Sequence, residues 1–129
     1  MRELLPRLFE LVQLAQHYDI ALVIDAEEAD RLTLSLDLIE ALMAASGLSD
    51  WAGLGVAVQA YQKRAPAVID YLLTLAARRR TRLMVRLVKG AYWDAEIKSA
   101  QMDGLDGYPV YTRKAYTDVA YLALSLIHI

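Results

Sequence analysis

The sequence predicts an α/β fold built on a parallel sheet of about three strands with intervening helices. Three observations carry this. Short apolar runs alternate along the chain with segments of helical period. The first run, residues 20–24, is apolar on both faces, as a buried parallel strand should be. The polar residues closing the runs, Asp25, Gln59 and Arg86, lie 34 and 27 residues apart, which suits strand–helix–strand crossovers. At 129 residues the chain is one modest domain or a piece of a larger one.

The elements follow in order. Residues 3–17 place Leu4, Leu8, Leu11, Val12 and Ala15 at helical spacing, and Pro6 sets the helix start near Leu5. Residues 20–24 form a short, partly β-branched strand that stops at Asp25. Residues 27–45 return to the helical period, with Leu32, Leu36, Ile39 and Met43 on one stripe and Gly47 as a stop. The acidic Glu27, Glu28 and Asp30 read as its solvated first turn, favoured by the helix dipole. Residues 55–58 make a second strand ending at Gln59. Pro66 then opens a helix facing the core with Ile69, Leu72, Leu73 and Ala76, and Arg78, Arg79 and Arg80 suit its C-terminus. Residues 83–88 make a third strand, which runs into Lys89 and Gly90. Residues 92–102 are helical, 103–109 are a turn-rich loop and 112–126 are a last helix. No linker divides the chain.

Composition removes several classes of function. Apolar residues are 57% of the chain, too many for disorder, and 14 Lys+Arg against 16 Asp+Glu give a net charge of −2, unlike a dedicated nucleic-acid binder. The absence of cysteine excludes disulfide scaffolds, thiolate zinc sites and Cys nucleophiles. No apolar run is long enough to span a membrane, and the acid and proline near the start do not suit a signal peptide. The expectation is a soluble, cytoplasmic protein. His17 in the first helix and His128 in the tail support neither a catalytic triad nor a metal site.

The chemistry is expected at the strand tips. Alternation puts Val23 with Asp25, Ala57 with Gln59, and Met84 with Arg86 and Val88 on one face. The opposite face carries Leu22, Ile24, Val56, Val58, Val85 and Leu87. Functional residues of parallel α/β folds gather at the carboxyl ends of strands, so an acid, an amide and a guanidinium would converge on one patch. Arg86 within an apolar strand needs an acceptor. Asp25 would serve, which leaves a structural pair and a functional one equally open. In the run from Lys89 to Trp93, Gly90 allows close approach of a ligand, and Tyr92 and Trp93 offer flat faces. No phosphate-binding glycine fingerprint accompanies them. The arginine cluster at 78–82 reads as a solvated helix end, with nucleic acid the lesser alternative.

The segments IDAEEADRL (24–32), QAYQKRAPAVIDYL (59–72), RLVKGAYWDAEIK (86–98) and QMDGLDGYPVYTRKAYTDVAYLA (101–123) resemble proline dehydrogenase, in particular the dehydrogenase domain of bifunctional bacterial proline utilisation flavoproteins. The resemblance covers roughly residues 18 to 123. It implies part of a (β/α)₈ TIM-like barrel with FAD at the strand ends, and oxidation of L-proline to 1-pyrroline-5-carboxylate by hydride transfer to the flavin. It implies a membrane quinone as acceptor, a parent enzyme peripherally membrane-associated when reduced, and an aldehyde dehydrogenase domain in the parent chain. Carried over by residue, Arg86 would tune the flavin and Asp25 would lie beside the substrate. Gln59 would hydrogen-bond the flavin, Val88, Lys89, Gly90, Ala91 and Trp93 would line it, Tyr92 would flank the proline pocket and Thr112 would be a further cofactor contact. The strands bearing the family's substrate-site lysine and arginines are missing, and residues 124–129 drift from the pattern as if foreign. A three-stranded piece with open edges and an uncovered apolar inner face is expected to aggregate, to hold FAD weakly or not at all, and to lack turnover. The competing class is a non-catalytic α/β module for a small ligand or protein, from which flavin absorbance near about 450 nm would distinguish it.

Overall fold

A computed structural model describes residues 3–45, 47–48 and 51–127; His128 lies outside them. The chain runs α1 (Leu4–His17), β1 (Leu22–Ile24), a 3₁₀ turn (Ala29–Arg31), α2 (Leu32–Ala44), β2 (Leu54–Gln59), α3 (Ala65–Arg79), β3 (Met84–Val88), α4 (Trp93–Met102) and α5 (Lys114–Leu126). The three strands are parallel and stand in sequence order, with β2 central. No helix among the described residues is long and apolar enough to cross a membrane.

The registers Ile24–Val56–Val85 and Ala57–Arg86 align the faces as the alternation predicts. Leu22, Ile24, Leu54, Val56, Val58, Val85 and Leu87 join the core with Ile39, Leu42, Ile69, Leu72 and Leu75 of the helices. The other face carries Val23, Gly55, Ala57, Gln59, Met84, Arg86 and Val88. It mixes small and charged residues with apolar ones, so it is less apolar than expected. Gly55 sits tightly there: a Cβ would come within 3.0–3.1 Å of Met84 and Val23 on the flanking strands, which would have to give by a few tenths of an ångström.

Several boundaries shift. Residues 20 and 21 fall outside β1, because the backbone first turns at Asp19, and Ile20 is exposed. Residues 27–28 are not helical, and α2 begins at Leu32. Side chains from other segments hold the Glu27 carbonyl and both backbone groups of Ala29, leaving them unavailable to a helix. The acidic run is therefore a loop and a 3₁₀ turn. α2 ends at Ala44, before Gly47, and α5 starts at Lys114 rather than 112. In α1 Leu4 and Leu11 are exposed and Val12 is its buried residue; in α3 Leu75 is buried and Leu73 exposed. Arg78 is not merely solvated, since it pairs with Glu40 of α2 at 3.0 Å.

Three helices end in the same way. The amides of Ile20, Thr81 and Leu105 reach back to the carbonyls of Ala15, Ala76 and Ala100, and those of Asp19, Arg80 and Gly104 to Gln16, Ala77 and Gln101. This Schellman closure needs a left-handed residue. Gly104 supplies one freely, but Asp19 and Arg80 adopt it at φ 51° with a side chain in place. Arg80→Gly is therefore expected to raise stability by about 0.5–1 kcal/mol, the relieved strain less the extra chain entropy of glycine. Urea unfolding of the two chains measures it, and an unchanged or lower midpoint would contradict the closure.

Candidate functional site

The site forms where the three strands end. Arg86 of β3 stands beside Ala57 of β2, and Asp25 follows β1 on the far side. Strands flanking a central one are about 9–10 Å apart, a span that a long side chain crosses only over a small residue. The Ala57 methyl leaves that path open, and Arg86 Nη2 donates to Asp25 Oδ1. The side chains of Arg86 and Asp25 are 50% and 67% exposed. An ion pair so exposed contributes at most about 1 kcal/mol. Its main effect is to set the direction of the guanidinium over the open face.

Gln59, the last residue of β2, is 2% exposed. Its Nε2 donates to the Glu27 carbonyl at 2.8 Å, and its Oε1 accepts the Ala91 amide at 2.9 Å. One carboxamide thus joins the loop after β1 to the loop after β3. Tyr61 adds a second tie, its hydroxyl accepting the Tyr92 amide at 3.2 Å. Its ring lies against Gly90, whose φ of 150° and lack of a Cβ permit the approach; any side chain there would run into the ring. Burial pushes the Tyr61 hydroxyl up to about 12, an effect the Tyr92 amide opposes. Tyr92 in turn donates its hydroxyl to Glu27 Oε2 at 2.7 Å, a bond that raises its pKa.

Two adjoining clefts share Lys89 and Gly90. The first, about 280 Å³, is lined by Asp25, Glu27, Ala57, Gln59, Arg86, Val88, Ala91 and Tyr92 as well. The second, about 350 Å³, is lined by Tyr61, Trp93, Tyr111, Thr112, Lys114 and Thr117 as well. Trp93 is fixed there by its indole N–H on the Tyr111 carbonyl at 3.0 Å. Lys89 and Lys114 both grip Asp118, at 2.6 and 2.7 Å, leaving one net positive charge at the cleft wall. Hydrogen bonding to Lys114 and Lys89 lowers the Asp118 pKa, and the bond to Asp118 raises that of Lys89.

Every residue singled out from the sequence lines one of these clefts: Asp25, Gln59, Arg86, Val88, Lys89, Gly90, Ala91 and Tyr92 the first, Trp93 and Thr112 the second. Sequence reasoning missed Glu27, Tyr61, Arg64 and Glu96. Glu27 was hidden in an acidic run. Glu96 leaves one trace, since an acid shares with Ala100 the buried stripe of α4.

Fold and site together define a parallel α/β unit with clefts at the carboxyl ends of its strands. More narrowly, the chain belongs to the proline dehydrogenase family, whose model matches residues 2–128. The bifunctional protein PutA of Salmonella typhimurium is 68% identical over 123 residues, 95% of this chain and 9% of that protein. PutA of Rhizobium meliloti is 62% identical over 122 residues, 95% of this chain and 10% of that protein. A crystal structure of Bradyrhizobium japonicum proline utilization A matches with a TM-score of 0.95 at 60% identity, covering 97% of this chain and 13% of that one. Proline utilization A of Bdellovibrio bacteriovorus, inactivated by N-propargylglycine, matches at 0.89 and 32% identity, over 93% of this chain and 12% of that one. The chain thus spans about a tenth of the length of the curated relatives it matches.

Native Tyr61 keeps its proton to about pH 12, whereas an unfolded tyrosine loses it near 10.0. Its contribution to stability is therefore full below the lower value and lost as pH rises through the upper one. Tyr61→Phe should be less stable than the parent chain below pH 10, with the gap narrowing above it. Urea unfolding across that range checks this, and a gap independent of pH would contradict it.

Proposed function

We propose that this chain is part of the (β/α)₈ barrel domain of an FAD-dependent enzyme that oxidises L-proline to 1-pyrroline-5-carboxylate. The observation that carries this reading is the Arg86 guanidinium, set over the open face by Asp25 among ten family-matching residues that line two adjoining clefts. When bound, the flavin supplies a hydride acceptor for the substrate carbon next to nitrogen.

The residues present fit that group. Two joined clefts suit an elongated cofactor, and the second offers a fixed indole and a net positive wall. The first offers a half-exposed guanidinium and a buried amide with one N–H beyond the bond to Glu27. In this reading Arg86 places positive charge beside the redox ring and favours the electron-rich state. Gln59 would offer its remaining N–H to the ring, the backbone of Val88 to Ala91 would line it, and Trp93 and Thr112 would line its remainder. Tyr92 walls the proline site with its hydroxyl anchored on Glu27, and Asp25 orients the groups around the substrate. Support for the assignment comes from the family match and from PutA relatives described as bifunctional. The second activity is read as an aldehyde dehydrogenase domain elsewhere in the parent chain, and a membrane quinone as the final electron acceptor. The parent is placed in the cytoplasm and meets the membrane surface as a peripheral protein.

Arg86→Met in the full-length parent should keep its flavin, lower the midpoint potential by tens of millivolts and slow proline-dependent reduction by about tenfold or more. Anaerobic potentiometry and stopped-flow absorbance measure both. An unchanged potential with unchanged reduction would remove Arg86 from the mechanism.

A further inference from the structure

We infer that Glu96, with Arg64 as its counterpart, is a positioning residue that clamps the loop bearing Asp25 and Glu27. The inference deepens the reading above and rests on it for its catalytic consequence. Glu96 is 6% exposed, and it is the one carboxylate among the buried side chains of the described residues. Its Oε1 accepts the Ala29 amide at 2.5 Å, a bond between residues 67 apart in the chain. Arg64, just before α3, donates Nη2 to the Ala29 carbonyl at 2.6 Å. The N–H and C=O of one buried residue are thus held by side chains following β2 and β3.

A buried carboxylate is costly unless its bonds compensate, and a charge-assisted bond to a backbone N–H is about twice as strong as a neutral one. A helix-dipole role in the first turn of α4 needs neither burial nor that distant partner. Glu96 also follows Tyr92 by one turn, its own amide bonding the Tyr92 carbonyl at 2.9 Å. Two of the loop's other anchors, Arg86 to Asp25 and Tyr92 to Glu27, are exposed side-chain contacts that water can replace. Gln59 is the buried anchor at Glu27, and Glu96 and Arg64 supply the second at Ala29. With both in place the Asp25 carboxylate has a fixed origin from which to direct Arg86.

The test uses the full-length parent holoenzyme with Glu96→Ala and Glu96→Gln, which keeps a carbonyl acceptor. Hydrogen exchange of residues 25–31 should be about tenfold faster in Glu96→Ala, with β2 unchanged. Its KM for L-proline should rise while flavin content stays, and Glu96→Gln should remain within about twofold of the parent in both. Unchanged protection of residues 25–31 in Glu96→Ala, or equal loss in Glu96→Gln, would overturn the clamp. Should Glu96→Ala fail to fold, Arg64→Met reads the same loop from its carbonyl side, with the same two outcomes. Lost protection in a parent that does not oxidise proline would support the clamp and remove the functional reading. Proline oxidation with unchanged protection would remove the clamp alone.

Discussion

A single buried carboxamide holds the site together. Gln59 ends the central strand, and its two polar atoms engage the loop after β1 and the loop after β3. β2 is buried along its whole length, so its tip is the best-anchored point from which two exposed loops can be placed. Tyr61 and Arg64, a few residues further on, repeat the device with Tyr92 and Ala29. The groups facing the cleft therefore sit on flanking strands, and the groups that fix them sit on or just beyond the central one. Removing the Gln59 amide would free the Glu27 carbonyl and the Ala91 N–H, and with them the tie between the two loops.

The sheet divides its labour between its faces. Bulky branched residues fill the helix-covered side, where close packing rewards volume. On the other side Gly55 and Ala57 keep the middle of the sheet low, so the Arg86 side chain crosses β2 instead of turning away from it. Its ion pair is too exposed to account for much stability, and its geometric effect is the larger one. Placing charge accurately over a surface is what a binding or redox site requires of its scaffold.

Period-2 alternation made the strands, their order of faces and the convergence of Asp25, Gln59 and Arg86 legible in the sequence. Those features depend on neighbours in the chain. What escaped depends on distant partners. The stretch from Glu27 to Ala29 has the pattern of a helix start, yet Gln59, Arg64 and Glu96, between 32 and 67 residues away, take its backbone groups. The endings at Asp19 and Arg80 escaped because neither carries the glycine that usually marks a left-handed turn. Leu8, Val12, Ile69, Leu72 and Ala76 join the core as the helical period predicts, but Leu4, Leu11 and Leu73 are exposed, since a helix with leucine on several sides does not declare which one is covered. The roles expected of Trp93, Thr112 and Tyr92 rest on the family resemblance, and the structure places all three residues along the two clefts.

The chain belongs to the proline dehydrogenase family, and the proposed chemistry places the residues at its strand ends around a flavin and L-proline in the full-length parent. The most direct measurement is an anaerobic titration of the full-length parent with L-proline, followed by visible absorbance. The expected result is a yellow protein whose flavin band at about 450 nm bleaches in proportion to added proline. A protein that purifies without flavin, or whose band is untouched by proline, would contradict it.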